Sequence, residues 1–311
     1  MLCAVIAASG QNLARVTTAE RLKWEAQNTA LKALLQATPK LPMAATAIKG
    51  STTGRVSWVA MGREGLIYLL QRGDKADPVI VLNQSGRIVR SWGKGMFATP
   101  HAIRIDPQGN VWTVDAGNSV IYKFSPEGTT LLKIEVGGLP EVRSAFRGTT
   151  DIAFAPDGQL FIADGYRNAR ILEFTPQGRK VREWGSAGTG PGQFHVPHSI
   201  QIDENGVIYV ADRENGRIQR FDLTGRYLGE WSSFGKTFGM KLEKGLLWLS
   251  SYPRGSDDAR GWLLKVDRKT GSLLGYVDTT SGHGIDVTPE GEILAAAPGP
   301  DEGPLRYRLN K

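Results

Sequence analysis

Residues 103–128, IRIDPQGNVWTVDAGNSVIYKFSPEG, recur in altered form at 152–178, IAFAPDGQLFIADGYRNARILEFTPQG, and at 200–225, IQIDENGVIYVADRENGRIQRFDLTG. Each copy holds a short alternating apolar run, a polar turn ending in glycine, a second apolar run closing on aspartate, a polar loop and a third apolar run. Alternation with period two between turn signals marks half-buried strands joined by hairpins, a β-meander. A fourth strand follows in most copies and ends near Trp92, Trp184 or Trp231. Four strands per unit, repeated along the chain, predict an all-β propeller.

Counting units by their turn glycine gives Gly65, Gly109, Gly158, Gly206, Gly245 and Gly291, spaced 44, 49, 48, 39 and 46 residues apart. The expected architecture is a six-bladed β-propeller over residues 51–311, preceded by an N-terminal extension, 1–50. A ring of blades is one cooperative unit despite its length. Either Leu305–Leu309 supplies the last strand or residues 43–50 close the ring by pairing there, and both readings stay open.

In the extension, the apolar start LCAVIAAS lacks a basic flank and reads as the tail of an export signal or as an unstructured start. It motivates a secreted or periplasmic location. Thr17 and Glu20 have capping-box spacing, and Leu31, Leu34 and Leu35 follow at helical spacing, so a short helix outside the ring is expected. TPKLPMAATAIKG then reads as a linker.

Composition narrows the function classes. Cys3 is the single cysteine, which excludes an intrachain disulfide and a cysteine-rich metal site. No apolar run approaches the roughly 20 residues of a membrane helix. Basic residues outnumber acidic ones 38 to 31, but they are spread along the blades without a nucleic-acid motif, so nucleic acid is not an expected partner. The net charge of +7 suits an anionic small ligand or peptide carboxylate. A protein partner cannot be read from the sequence.

Three of the four histidines, His101, His198 and His283, each stand eight residues before a turn glycine, in blades 2, 4 and 6. Alternate blades of a six-fold ring lie about 120° apart, so the three imidazoles should converge on the axis as a tripod. Zn²⁺ in catalytic sites commonly takes three protein ligands and keeps a fourth position open. The bland reading of each histidine taken singly is an inter-blade hydrogen bond; the shared phase favours the metal. His195 is out of phase and reads as a loop residue.

The second strand returns to the face where the first began, so positions seven or eight after the glycine share a face with the histidines. These are Arg72, Tyr166 and Arg213. Each also has a structural reading, Arg213 as an ion-pair partner of Glu214 and Tyr166 as a lid over its blade. Asp115, Asp164 and Asp212, six after the glycine, recur in non-equivalent blades and read as carboxylates that hold loops through backbone N–H groups.

The segments LLQRGD, PHAIRIDPQGNVWTVD, TDIAFAPDGQLFIADGYRNARI, VPHSIQIDENGVIYVADRENGRIQRF and GHGIDV resemble the NHL-repeat propeller of peptidyl-α-hydroxyglycine α-amidating lyases. DGYRNAR and ADRENGRIQ are the most specific, since generic NHL repeats match only the strand and turn pattern. The resemblance implies a zinc-dependent lyase in peptide amidation, with zinc on His101, His198 and His283, Tyr166 as the catalytic tyrosine, and Arg72 and Arg213 as active-site arginines. It implies cleavage of the C–N bond of a peptidyl-α-hydroxyglycine to an amide and glyoxylate. A phenol acts as base near neutral pH only beside positive charge, a role the two arginines and the metal fit.

Three departures qualify it. Where the animal enzymes carry an aspartate that helps hold a structural Ca²⁺, Gly284 stands here, which speaks against calcium. The disulfides of those enzymes are absent. The copper monooxygenase domain that makes the hydroxyglycine is not expected in this length of chain. Other readings of the same scaffold are a lactonase or lyase of another substrate, and a non-catalytic NHL binding platform. Propeller lactonases hold calcium through carboxylate and amide oxygens, a donor set unlike three histidines.

Overall fold

In the computed structural model, which describes residues 17–48, 54–138, 144–255, 260–280, 282–296 and 304–310, six four-stranded antiparallel sheets are arranged as a propeller. The apolar start with Cys3 lies outside the described residues. Blade 1 runs from Arg55–Met61 to Ile88–Trp92, blade 2 from Pro100–Ile105 to Thr130–Glu135, and blade 3 from Asp151–Phe154 to Lys180–Trp184. Blade 4 runs from Pro197–Ile202 to Tyr227–Ser232, and blade 5 from Lys236–Glu243 to Leu273–Thr279.

Blade 6 settles the ring closure. Its first three strands are Ile285–Val287, Ile293–Ala295 and Leu305–Leu309, and the fourth is Met43–Ala47, paired antiparallel with Met43 opposite Leu309. Both ends of the chain therefore contribute, and the stretch read as a linker contains a strand. Its alternatives were not exclusive: one end supplies the third strand and the other covers the edge that strand would expose.

The first strands of neighbouring blades pack against one another around the axis. Apolar side chains between blades form the core; Trp58, Trp112, Phe124, Phe161 and Phe221 are among its largest fully buried members. The helix Thr18–Gln36 has the expected capping box, with the Glu20 N–H donating to Thr17 Oγ1 at 3.2 Å and the Thr17 N–H donating to Glu20 Oε2 at 2.8 Å. Leu31 and Leu35 are buried in the cluster that joins blades 4 and 5, whereas Leu34 is only half-buried beside it. Gln27 Nε2 donates to Asn215 O at 3.0 Å and Asn28 Nδ2 to Arg254 O at 2.8 Å, so the helix sits on the blade 4 and 5 loops.

Two of the three recurring aspartates hold loops through backbone N–H groups. Asp115 accepts the N–H groups of Ala98, Thr99 and Gly117 at 2.9, 2.6 and 3.0 Å, and Asp212 accepts that of His195 at 2.7 Å. Most of these donors precede the strand rather than follow it, so each carboxylate ties the blade's entry loop to its second strand. Asp164 instead binds side chains, Arg170 Nε at 2.8 Å and Asn168 Nδ2 at 2.9 Å, and burial raises its carboxyl above the usual range.

Candidate metal centre

Local irregularity in the first strands aims the histidines. The ladder of blade 2 shifts register between Pro100 and Ala102, and that of blade 4 between Pro197 and Ser199, leaving His101 and His198 as bulge residues. A bulge leaves one residue unpaired and turns its side chain out of the regular alternation. Blades 1 and 5 carry the same irregularity around Ser57 and Phe238. These odd blades contribute carbonyls where the even blades contribute imidazoles. His283 Nδ1 faces Ser57 O at 2.8 Å, His198 Nδ1 faces Phe238 O at 2.7 Å, and His101 Nδ1 faces Thr150 O of blade 3 at 2.5 Å.

A carbonyl only accepts, so each Nδ1 carries the proton and each Nε2 presents a lone pair. The structure brings His101, His198 and His283 together as the spacing predicts, with one ligand atom from each lying within 4.8 Å of the others. The Tyr166 hydroxyl lies 3.1 Å from Nε2 of His101 and 3.1 Å from Nε2 of His198. One phenolic proton cannot serve two lone pairs, still less three. The convergence of lone pairs with too few protons is the donor set of a cation, and a three-histidine group of this kind could hold a metal ion.

Burial, followed by the charge of neighbouring groups, holds these imidazoles far below their ordinary pKa. His283 falls to about 3 through burial and Arg72; His101 falls through burial, His283 and Arg72; His198 falls through burial and Arg213. Neutral imidazoles are the form that binds a metal. In metal-free protein the depressed values have a sign. Unfolded imidazoles bind protons below about 6.5 while the folded ones do not, so stability is full above about pH 6.5 and is lost as pH falls toward the folded values. The thermal midpoint of chelator-treated protein is therefore expected to drop between about pH 7 and about pH 5. A level midpoint across that window contradicts neutral, buried imidazoles.

Arg72, Tyr166 and Arg213 lie on the same face as the tripod. Arg72 Nε donates to Pro100 O at 2.8 Å, and its guanidinium stands 4.9 Å from the Phe146 ring centre. Burial lowers its pKa from the ordinary arginine value. Arg213 is 2% exposed, its guanidinium 4.8 Å from the Phe238 ring centre and 5.8 Å from that of Tyr166. Its Nε donates to Glu214 Oε1 at 2.9 Å, so the ion pair read as the structural alternative exists. It does not exhaust the guanidinium. Nη2 of Arg213 and Nη2 of Arg72 are both buried without a hydrogen-bond partner among the described residues. Two orphaned charged donors beside a cup suit an anionic ligand. Burial favours the neutral form of Glu214, yet Arg213 and Lys236 hold its carboxyl at about 2, which keeps it as an anion clamping Arg213.

The loop carrying Tyr166 is strained. Arg167 and Ala169 have φ of 79° and 54°, and a Cβ at Gly165 would meet Pro197 O at 2.1 Å. Such backbone persists only where surrounding packing fixes it. His195, by contrast, is an exposed loop residue outside the three-histidine group, as its phase suggests.

Sequence reasoning missed the walls of the cup. Phe146, Phe238 and Trp58 flank the imidazoles, with Phe146 5.1 Å from Tyr166 and Trp58 5.7 Å from His283 between ring centres. Trp58 and Phe238 each lie seven before their turn glycine, the slot next to the histidines, where the signal was present but unread.

A family model described as a six-bladed β-propeller matches residues 146–294. The probable peptidyl-α-hydroxyglycine α-amidating lyase of Caenorhabditis elegans is 26% identical over 235 residues, covering 70% of this chain and 66% of that protein. In sequence the chain is thus similar to proteins named peptidyl-α-hydroxyglycine α-amidating lyase. The rat peptidylglycine α-amidating monooxygenase is 34% identical over 200 residues, covering 54% of this chain. The match spans only 20% of the rat protein's length. Among solved structures, a streptogramin B lyase shares the fold with a TM-score of 0.61 over 86% of this chain and 98% of that one, at 16% identity. No helix among the described residues is long and apolar enough to cross a membrane.

Proposed function

We propose that this propeller is a zinc-dependent lyase that cleaves peptidyl-α-hydroxyglycine to a peptide amide and glyoxylate, with His101, His198 and His283 as the metal ligands. The observation that carries the proposal is the Tyr166 hydroxyl, held 3.1 Å from two ligand nitrogens and flanked by two arginines with unpartnered Nη2 atoms. Homology to lyases of that name supports the substrate class. Zinc, when bound, supplies Lewis acidity to an oxygen of the substrate.

The side chains account for the rest. Arg72 and Arg213 bind the terminal carboxylate, because each offers a desolvated Nη2 donor with no acceptor among the described residues. Tyr166 accepts the proton of the substrate hydroxyl; the oxygen's electron pair becomes the aldehyde π bond, the C–N bond breaks, and the departing amide nitrogen takes up a proton. Protons balance, and no oxidant is required. Phe146 and Phe238 exclude water from the guanidinium faces, which strengthens the carboxylate contact. We further propose a secreted or periplasmic setting, motivated by the apolar start.

The test supplies zinc-replete protein with a peptide ending in α-hydroxyglycine and follows glyoxylate. The expected result is release that stops on chelation and returns with zinc. No release above the uncatalysed rate from zinc-replete protein rejects the lyase reading.

A further inference from the structure

Beneath the tripod, one side chain crosses the axis of the propeller. Arg104 leaves the first strand of blade 2 and reaches four other blades. Its Nε and Nη2 donate to Asp151 Oδ1 and Oδ2 of blade 3 at 2.9 and 2.6 Å. Nη2 also lies 3.3 Å from Ser199 Oγ of blade 4, and Nη1 donates to Met240 O of blade 5 at 3.2 Å. The guanidinium stands 4.7 Å from the ring centre of Trp58 of blade 1. Blade 5 lies opposite blade 2 in a six-bladed ring, so a residue that bonds both must cross the axis.

Trp58 packs against both this cation and the imidazoles. It is fully buried, with its ring centre 6.0 Å from that of His101 and 5.7 Å from that of His283. Gly284 makes room for it: a Cβ there would meet Trp58 Cδ2 at 2.2 Å. Any side chain at 284, an aspartate included, is excluded while Trp58 keeps its place.

The Asp151 and Asp286 carboxylates, the anionic oxygens that might hold a hard cation here, are already used. Asp151 accepts Arg104 through both oxygens, Ser199 Oγ at 2.7 Å, and the N–H groups of Ile152 and Ile200 at 2.9 and 3.1 Å. Asp286, five before its turn glycine as Arg104 is before its own, accepts Lys241 Nζ at 2.7 Å and the N–H groups of Met61 and Val287 at 2.7 and 2.8 Å. Calcium needs six to eight oxygen ligands. The residues present do not fit it.

We infer that the Arg104 guanidinium is the built-in axial cation of this propeller, closing the channel under the tripod and taking the place of a divalent ion. The positive charge is covalently attached, so it cannot dissociate, and the fold is independent of calcium supply. Trp58 packs against that charge, and Asp151 neutralises it. This holds whatever reaction the cup performs.

The experiment charges the protein with zinc, so that the tripod is filled, and then adds about 1 mM calcium, the level at which weak calcium modules fill. Calcium retained on equilibrium dialysis and the thermal midpoint are read. Wild type is expected to retain none and to keep its midpoint within about 1 °C, whereas Arg104→Ala, which uncovers the Asp151 carboxylate, is expected to melt several degrees lower and to recover part of the loss with calcium. Stoichiometric retention by wild type, with a midpoint that rises by several degrees, overturns the inference. So does an Arg104→Ala protein that melts like wild type and ignores calcium. Should Arg104→Ala not fold, the charge-neutral pair Arg104→Met with Asp151→Asn decides: a folded, calcium-indifferent protein supports the inference, and one that needs calcium to fold overturns it.

Discussion

Tyr166→Phe is expected to lower glyoxylate release by about 10²–10⁴-fold, the usual contribution of a positioned proton-transfer group. The substitution removes one oxygen and leaves the ring in its contacts with Phe146 and His101, at 5.1 and 5.3 Å between centres. Metal content is expected to stay unchanged, because the Nδ1 bonds that aim the imidazoles run to Thr150, Phe238 and Ser57 carbonyls and not to the phenol. The separation of the two readouts is the point. A merely structural tyrosine would lower stability and metal content together, whereas a proton acceptor lowers the rate alone. A rate within about twofold of wild type removes Tyr166 from the mechanism.

Much of this site was legible because repeats convert spacing into position. A histidine eight residues before a turn glycine occupies the same corner in every blade that has one, so three such histidines in alternate blades had to meet. The same logic placed Arg72, Tyr166 and Arg213 on that face, where the structure finds them. What spacing could not carry was direction. His101 and His198 point as they do because the ladder slips by one residue at each, and a slip leaves no mark in apolar alternation.

Other features were hidden for different reasons. Arg104 stands in IRID as an alternate polar residue and reads as solvent-facing; only closure of the ring turns that side of an innermost strand into the axis. Met43–Ala47 faces solvent through most of its length, so MAATA shows no buried period; by composition it reads as a linker, and only the blade count makes it a candidate closing strand. Its partner Leu305–Leu309 lies some 260 residues away, a pairing set by closure of the ring and not by local pattern. The helix, in contrast, declared itself, since a capping box and leucines at helical spacing are local signals.

Chelation is expected to lower the wild-type thermal midpoint by roughly 8 °C. A ligand present at a thousand times its dissociation constant stabilises the folded state by about 4 kcal/mol, and each kcal/mol moves the midpoint of a large domain by about 2 °C. His198→Ala should abolish that response. The variant loses one of three ligands and leaves Phe238 O without its Nδ1 donor, so some destabilisation is expected even without metal. For that reason the decisive quantity is the difference between metal-replete and chelated midpoints, together with ions per chain. Wild type should hold about one zinc and show the full difference; His198→Ala should hold far less than one and show almost none. His195→Ala supplies the control, since His195 is exposed and belongs to no part of the tripod. It should keep both the metal and the response. If His198→Ala retains one ion per chain and a midpoint difference equal to that of wild type, the converging lone pairs are not where the metal binds.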